Sequence, residues 1–149
     1  MSALTLVEAE RSDIPTLIGL YTAAGLDTRG PHDEVVARAA WDRMRLAVPG
    51  VKVFLAQRAG VAVGTYTFFV LPLLAHSGAP EAIVEDVAVH PEAQGQGIGR
   101  LMMFHAMGLA REAGCYKLAL SSNQRRVEAH AFYERLGFER HGVSFGVTL

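Results

Sequence analysis

An α/β domain built on one mixed, mostly antiparallel sheet is the fold that this chain predicts, on three observations. A pair of long apolar segments, KVFLAQR at 52–58 and VAVGTYTFFVL at 61–71, flanks an Ala59-Gly60 turn and reads as a β-hairpin. Helical periodicity stands on either side of it, at 14–21 and again at 98–109. Behind a further apolar strand comes QGQGIGR at 94–100, three glycines alternating with larger residues where a helix opens. At 149 residues the chain suits a single domain, 1–149, with a real core.

Each element has its own signal. LTLVEA at 3–8 alternates as a first strand, and Ser12 or Asp13 can cap a helix whose early proline, Pro15, sits where its missing N–H matters least. Ile14, Leu17, Ile18 and Tyr21 share a face of that helix; Gly25 and GPHD at 30–33 break it before a second helix, 33–47, which Pro49-Gly50 ends. After the hairpin a loop, AHSGAP, leads to a fourth strand at 82–89 and then to a helix from about 97 to 113, stopped by Gly114. KLALSS at 117–122 is a fifth strand, RRVEAHAFYERL at 125–136 a fourth helix, and FER and VSFGVTL at the end read as closing strands. There is no repeat, low-complexity segment or linker.

Composition narrows the function. The 14 basic and 15 acidic residues nearly cancel, which leaves no electrostatic footprint for nucleic acid or an anionic membrane. The longest apolar run, 61–75, is shorter than the roughly 18 residues of a membrane helix and carries Gly64, Thr65, Thr67 and Pro72. Cys115 alone cannot close an intrachain disulfide, and no secretory pattern opens the chain, so a cytoplasmic location is expected.

A strand that enters a glycine-rich turn opening a helix is a place to hold phosphate. The first N–H groups of the helix lack partners, and the helix dipole favours negative charge there. The dinucleotide motif G-x-G-x-x-G needs glycine where this chain has Arg100, and the P-loop's Gly-Lys-Ser/Thr is absent. What remains is Gln/Arg-x-x-Gly-x-Gly/Ala, met by Gln94, Gly97 and Gly99.

Through VEDVAVHPEAQGQGIGRLM at 84–102 and SSNQRRVEAHAFYERLGF at 121–138, the chain resembles the GNAT superfamily of acyl-CoA-dependent N-acetyltransferases. The likeness is close over the C-terminal half; the first half agrees only in the order of elements. It implies a GNAT fold with helices on both faces of the sheet and with parallel fourth and fifth strands that splay to admit acetyl-CoA. Its pyrophosphate would lie on the N–H groups of Gly95, Gln96, Gly97, Ile98, Gly99 and Arg100, and its pantetheine beside the backbone of Val87, Ala88 and Val89. Asn123 would hydrogen-bond the pantetheine arm, while Arg100, Arg126 and Arg135 are candidates for the phosphates.

Moving acetyl from a thioester to an amine needs a neutral amine, a polarised carbonyl and a proton for the departing thiolate; no metal is required. An alkylamine has a pKa of roughly 10, so a carboxylate must accept its proton, directly or through water. Glu85 and Asp86 stand at the right end of strand four, and Glu85 is favoured. An unbulged strand aims only one of two neighbours at a cleft, but a β-bulge, frequent in this family's fourth strand, loosens that rule. By the same resemblance Tyr133 protonates the leaving thiolate, and the N–H of Val87 or Ala88 polarises the carbonyl.

Rival roles for other residues are weaker. Cys115 opens a strand without a base at a recognisable spacing and reads as a small buried hydrophobe. His32, His76, His90, His105, His130 and His141 lack metal-ligand spacing and read as surface, cap or core histidines. The acceptor is expected to be a small-molecule amine, since the C-terminal motifs are similar to those of glucosamine-6-phosphate and aminoalkylphosphonate N-acetyltransferases, with Arg125 or Arg126 able to meet an anionic phosphorus group. A protein acetyltransferase acting on lysine or N-termini, and a non-catalytic acetyl-CoA sensor, stay open; Tyr133 and the carboxylates favour catalysis. Homodimer formation through the closing strands is a further expectation from the resemblance.

Overall fold

The sheet grows outward from the central hairpin. Strands β2 (Lys52–Arg58) and β3 (Val61–Leu71) pair antiparallel, and Arg58 faces Val61 across a two-residue turn in which Ala59 and Gly60 both take positive φ, 50° and 77°. That backbone matches the right-handed twist of the strands it joins. Strand β1 (Leu4–Glu8) adds antiparallel to β2, and β4 (Glu81–Val89) antiparallel to β3. Beyond β4 lies the short β5 (Lys117–Leu120), parallel to it, giving a five-stranded GNAT-like mixed sheet in the order β1-β2-β3-β4-β5. The starts of β4 and β5 meet where Tyr116 N–H donates to Pro80 O at 3.0 Å and Lys117 pairs with Glu81 at 3.5 Å.

The computed structural model describes residues 2–27, 29–30 and 32–149; Pro31, within the expected break at 30–33, lies outside them. They form two compact units, one up to Ala119 and one from Leu120 to Leu149.

In the first unit, side-chain alternation divides the sheet into two faces. Val53 and Leu55 form a core with Ala9 and with Leu17 and Leu20 of helix α1 (Ile14–Ala23), against which Tyr21 packs, as do Trp41 and Met44 of helix α2 (Glu34–Ala47). Asp33 starts α2 by accepting the Val35 N–H at 2.8 Å. On the opposite face Phe54 and its cross-strand partner Tyr66 stack at 5.3 Å, and His105 of helix α3 (Ile98–Glu112) meets Phe54 edge-on at 4.8 Å. Gly64 lets α3 come close: a Cβ there would stand 2.9 Å from Ile98 Cγ2 and 3.2 Å from Ala88 O. Helices therefore cover both faces, α1 and α2 on one and α3 on the other.

Strand β4 carries the expected bulge. Thr65 pairs with Ala88 and Thr67 with Glu85, so two steps along β3 span three along β4, and Asp86 absorbs the extra residue at φ 51°.

The second unit departs from expectation. Asn123 Oδ1 accepts the Arg125 N–H at 2.9 Å, and this local turn delays helix α4 to Val127–Arg135, where the pattern had placed its start at 125. Strand β5 ends at Leu120, short of the expected 122. The closing strands are absent: 138–149 carries no regular secondary structure, and Val143, Phe145, Val147 and Leu149 are all exposed. Alternation at those positions is real, but a strand needs a partner's ladder as well as a pattern. No helix among the described residues is long and apolar enough to cross a membrane.

Candidate functional site

The glycine-rich turn leads into α3 through Gly97, the residue before the helix, at φ 80°, with Gly95 at 73°. Side chains rarely adopt that backbone, and a Cβ at either position would meet nothing within 4 Å. The first intrahelical bond runs from Leu101 N–H to Gly97 O at 3.0 Å, so the N–H groups of Ile98, Gly99 and Arg100 precede the helical ladder. Ile98 itself is buried, its side chain spent on packing beneath Gly64. Gln96 is tied on both sides, its carbonyl accepting from Arg58 and its amide donating to Glu92 O at 3.1 Å. This pins the turn to the end of β2. Arg100 is exposed, its guanidinium 5.2 Å over the Phe104 ring, and Gln94 N–H closes the preceding turn on Pro91 O at 3.3 Å.

At the bulge both carboxylates reach solvent. Burial raises the pKa of Glu85, and repulsion from Asp86 raises it further; Asp86 is raised by burial. Thr67 and Thr65, cross-strand partners of Val53 and Leu55, are buried on the α1 face. Above them sits Tyr21, its hydroxyl drawn to both threonines and its pKa pushed up to about 12 by burial and then by Asp86. By strict geometry Thr65 Oγ1 has no hydrogen-bond partner. The Tyr21 ring lies 6.3 Å from that of His32, which pairs with Asp27. Sequence reasoning saw Tyr21 only as a helix-face residue and Thr65 and Thr67 as polar breaks in an apolar run. The signal that could have found the threonines is their placement: two hydroxyls, two apart, at inward positions of a central strand. Val87 and Val89 are half-buried and Ala88 is buried, all three continuing β4 beyond the bulge.

In the second unit the Asn123 side chain closes a turn ahead of α4 on the Arg125 N–H, while its carbonyl oxygen takes Arg126 N–H and His130 Nε2, each at 2.9 Å. Tyr133 is held edge-on by Phe132 at 5.1 Å and Phe138 at 5.6 Å. Burial raises its pKa, with Arg126 pulling the other way, so the phenol carries its proton at neutral pH. Ser122 Oγ, which the sequence did not mark, is buried without a partner.

Remaining candidates resolve simply. His105 belongs to the core, His90 caps a short turn by accepting Glu92 N–H at 3.3 Å, and His76 stacks on Tyr116 at 4.3 Å. Cys115 is only half-buried, because β5 begins two residues later than its reading as a strand opening implied, and burial raises its thiol pKa. Among the described residues no group of three or more His, Cys, Asp and Glu side chains could hold a metal ion.

Residues 16–138 match the model of the Acetyltransferase (GNAT) family. The chain is 34% identical over 136 residues, 91% of its own length and 87% of the relative's, to glucosamine 6-phosphate N-acetyltransferase of Trypanosoma brucei brucei. It is also 34% identical over 101 residues, 68% of this chain and 65% of the relative, to aminoalkylphosphonate N-acetyltransferase of Salmonella typhimurium. Among solved structures, a Trypanosoma brucei acetyltransferase matches with a TM-score of 0.82 at 28% identity over 99% of this chain and 100% of the other.

Proposed function

Because the chain belongs to the GNAT acetyltransferase family and is an acyltransferase by that membership, we propose that it transfers acetyl directly from acetyl-CoA to a primary amine on a small molecule. The observation that carries this reading is the pairing of an open glycine turn with a bulged, carboxylate-bearing strand. A Cβ at Gly95 or Gly97 would meet nothing within 4 Å and the N–H groups of Ile98, Gly99 and Arg100 precede the helical ladder, which fits a pyrophosphate on the turn from Gly95 to Arg100, and exposed Arg100 adds a fork of donors. Gln94 and Gln96 hold that turn in shape; Asn123 and Arg126, on the loop before α4, are the further cosubstrate contacts we assign. Pantetheine would follow the backbone of Val87, Ala88 and Val89.

Acetyl-CoA supplies the activated acyl group; what the protein supplies is placement and proton traffic. Glu85 or Asp86, its pKa raised by burial, accepts the proton of the incoming ammonium. The N–H of Val87 or Ala88 polarises the thioester carbonyl. Tyr133, protonated at neutral pH, gives its proton to the departing thiolate.

The relatives named above act, by name, on amines that carry phosphate or phosphonate, and this supports a small anionic amine as acceptor, with Arg125 or Arg126 as its partner. The whole of 1–149 is read as one acetyltransferase domain. A homodimer is supported by the exposed apolar alternation of Val143, Phe145, Val147 and Leu149, which a second copy would cover, and a cytoplasmic location suits the acetyl-CoA supply.

The test is release of free CoA from acetyl-CoA with glucosamine 6-phosphate, aminomethylphosphonate, an aminoglycoside, polyamines and a lysine peptide, for wild type and Tyr133→Phe. Turnover with one small amine, cut about tenfold or more by the substitution, is expected. Turnover of the peptide alone would overturn the small-molecule assignment, and binding of acetyl-CoA without any turnover would favour a sensor.

A further inference from the structure

The glycine turn has to keep its shape without spending the N–H groups that a phosphate needs. Backbone bonds close the chain before it, from Gln94 N–H to Pro91 O, and after it, from Leu101 N–H to Gly97 O. Between them Gly95 and Gly97 stand at φ 73° and 80°, and glycine is the residue with the widest conformational freedom. What spans the gap is a side chain. Gln96, between the two glycines, donates from Nε2 to Glu92 O at 3.1 Å and accepts on Oε1 from Arg58 Nη1. A guanidinium has donors only, so the amide oxygen must face it and the amide nitrogen the Glu92 carbonyl, which fixes how the amide is turned. Arg58 ends β2, with Leu4 of β1 on one side and Val61 of β3 on the other. Its side chain is half-buried and its Nε is enclosed without a partner. No ion pair among the described residues involves Arg58, so no carboxylate competes with Gln96 for the guanidinium.

Resting on the acetyltransferase reading, we infer that Arg58 is a positioning residue for the cosubstrate: through Gln96 it holds the glycine turn in the conformation that presents its N–H groups to the pyrophosphate of acetyl-CoA. The hairpin thereby becomes part of the cosubstrate site, although Arg58 and Gln96 are 38 residues apart in sequence. Without the Arg58 contact the two glycines leave the turn free to fluctuate. Ordering it then falls on the binding step, and affinity drops. The loss belongs to the diphosphate end of the ligand, because that is the end the turn receives.

Isothermal titration tests this with two ligands, acetyl-CoA and 3′-phosphoadenosine 5′-diphosphate, the fragment of it that carries the diphosphate. The proteins are wild type, Arg58→Met, Arg58→Lys, Gln96→Leu, and Arg58→Met combined with Gln96→Leu. Arg58→Met and Gln96→Leu are each expected to weaken both ligands about tenfold, the worth of one hydrogen bond with a charged partner. The combined variant should stay near that same loss rather than reach about a hundredfold, because both residues act through one contact. Arg58→Lys, which can still give Gln96 the single donor it uses, should stay within about threefold of wild type. Gln96 is exposed, so its variant keeps the fold, and a merely structural Arg58 would lower the melting temperature without any coupling to Gln96. Unchanged affinity in Gln96→Leu, losses that multiply in the combined variant, or weaker acetyl-CoA with unchanged binding of the diphosphate fragment would each overturn the inference. Failure of wild type to bind acetyl-CoA would instead overturn the acetyltransferase reading on which it rests, so the two failures are distinguishable.

Discussion

Two tyrosines, one on each face of the sheet, make an instructive pair. Tyr66 is fully buried under α3 and shares a 2.7 Å hydrogen bond with His105 Nδ1; Tyr21 is half-buried under the α1 side, beside a carboxylate and two buried threonines. Burial lifts the pKa of both phenols, so a perturbed titration does not separate the two environments. What separates them is the company they keep: Tyr66 bonds a histidine in the α3 packing, whereas Tyr21 lies near Asp86, which reaches solvent.

Substitutions that break this comparison fall in a clear order. Tyr66→Ala should lower stability by about 3–5 kcal/mol, because a large side chain leaves a cavity and strips His105 of its partner. Chemical denaturation measures it; a loss below about 1 kcal/mol would mean that the α3 face repacks freely. Gly64→Ala comes next, at about 1–3 kcal/mol, since the added methyl meets Ile98 and the rigid Ala88 carbonyl. It acts on the α3 side, so the packing of Trp41 on the α1 side should survive in whatever fraction remains folded. Ala59→Gly touches neither face and should stabilise by roughly 1 kcal/mol, by relieving a non-glycine residue of its left-handed backbone in the hairpin turn. A melting temperature that falls instead would place the strain elsewhere.

The smallest effect is the pH dependence, and there the faces oppose each other. His105 has a pKa lowered by burial, with Glu112 raising and Lys52 lowering it further. In the unfolded chain it titrates near 6.5, so between that value and its lower folded one the unfolded state binds more protons, and stability falls as pH drops through this window. Glu85 and Asp86 behave in reverse. Their folded pKa values are raised, the native state binds protons first, and acidification below their raised values relieves the fold. Melting temperatures of wild type and His105→Gln between pH 7.5 and 5.5 should diverge, the wild type losing more.

How far the sequence revealed all this depends on how local each signal was. The hairpin was readable because Ala59-Gly60 announces its own turn, and α3 because Gly95 and Gly97 mark the backbone that precedes it. The bulge at Asp86 came from family likeness rather than from any residue pattern. The neighbourhood of Tyr21 was invisible, since it arises only when α1 folds over Thr65 and Thr67, which stand far along the chain. The closing segment misled for the opposite reason. Val143, Phe145 and Val147 alternate as a strand does, yet alternation states which face would be buried and says nothing of whether a neighbour exists to bury it.

Trp41 gives the experimenter a one-sided window on the molecule. It is the chain's single tryptophan, it packs against the Leu17–Leu20–Leu55 core, and Arg45 stands 6.0 Å over its ring. Fluorescence excited at its absorption edge therefore samples the α1 and α2 side alone and is blind to what happens around His105. If the two faces melt together, emission and circular dichroism will trace a single curve; if they part, the optical signals will part first.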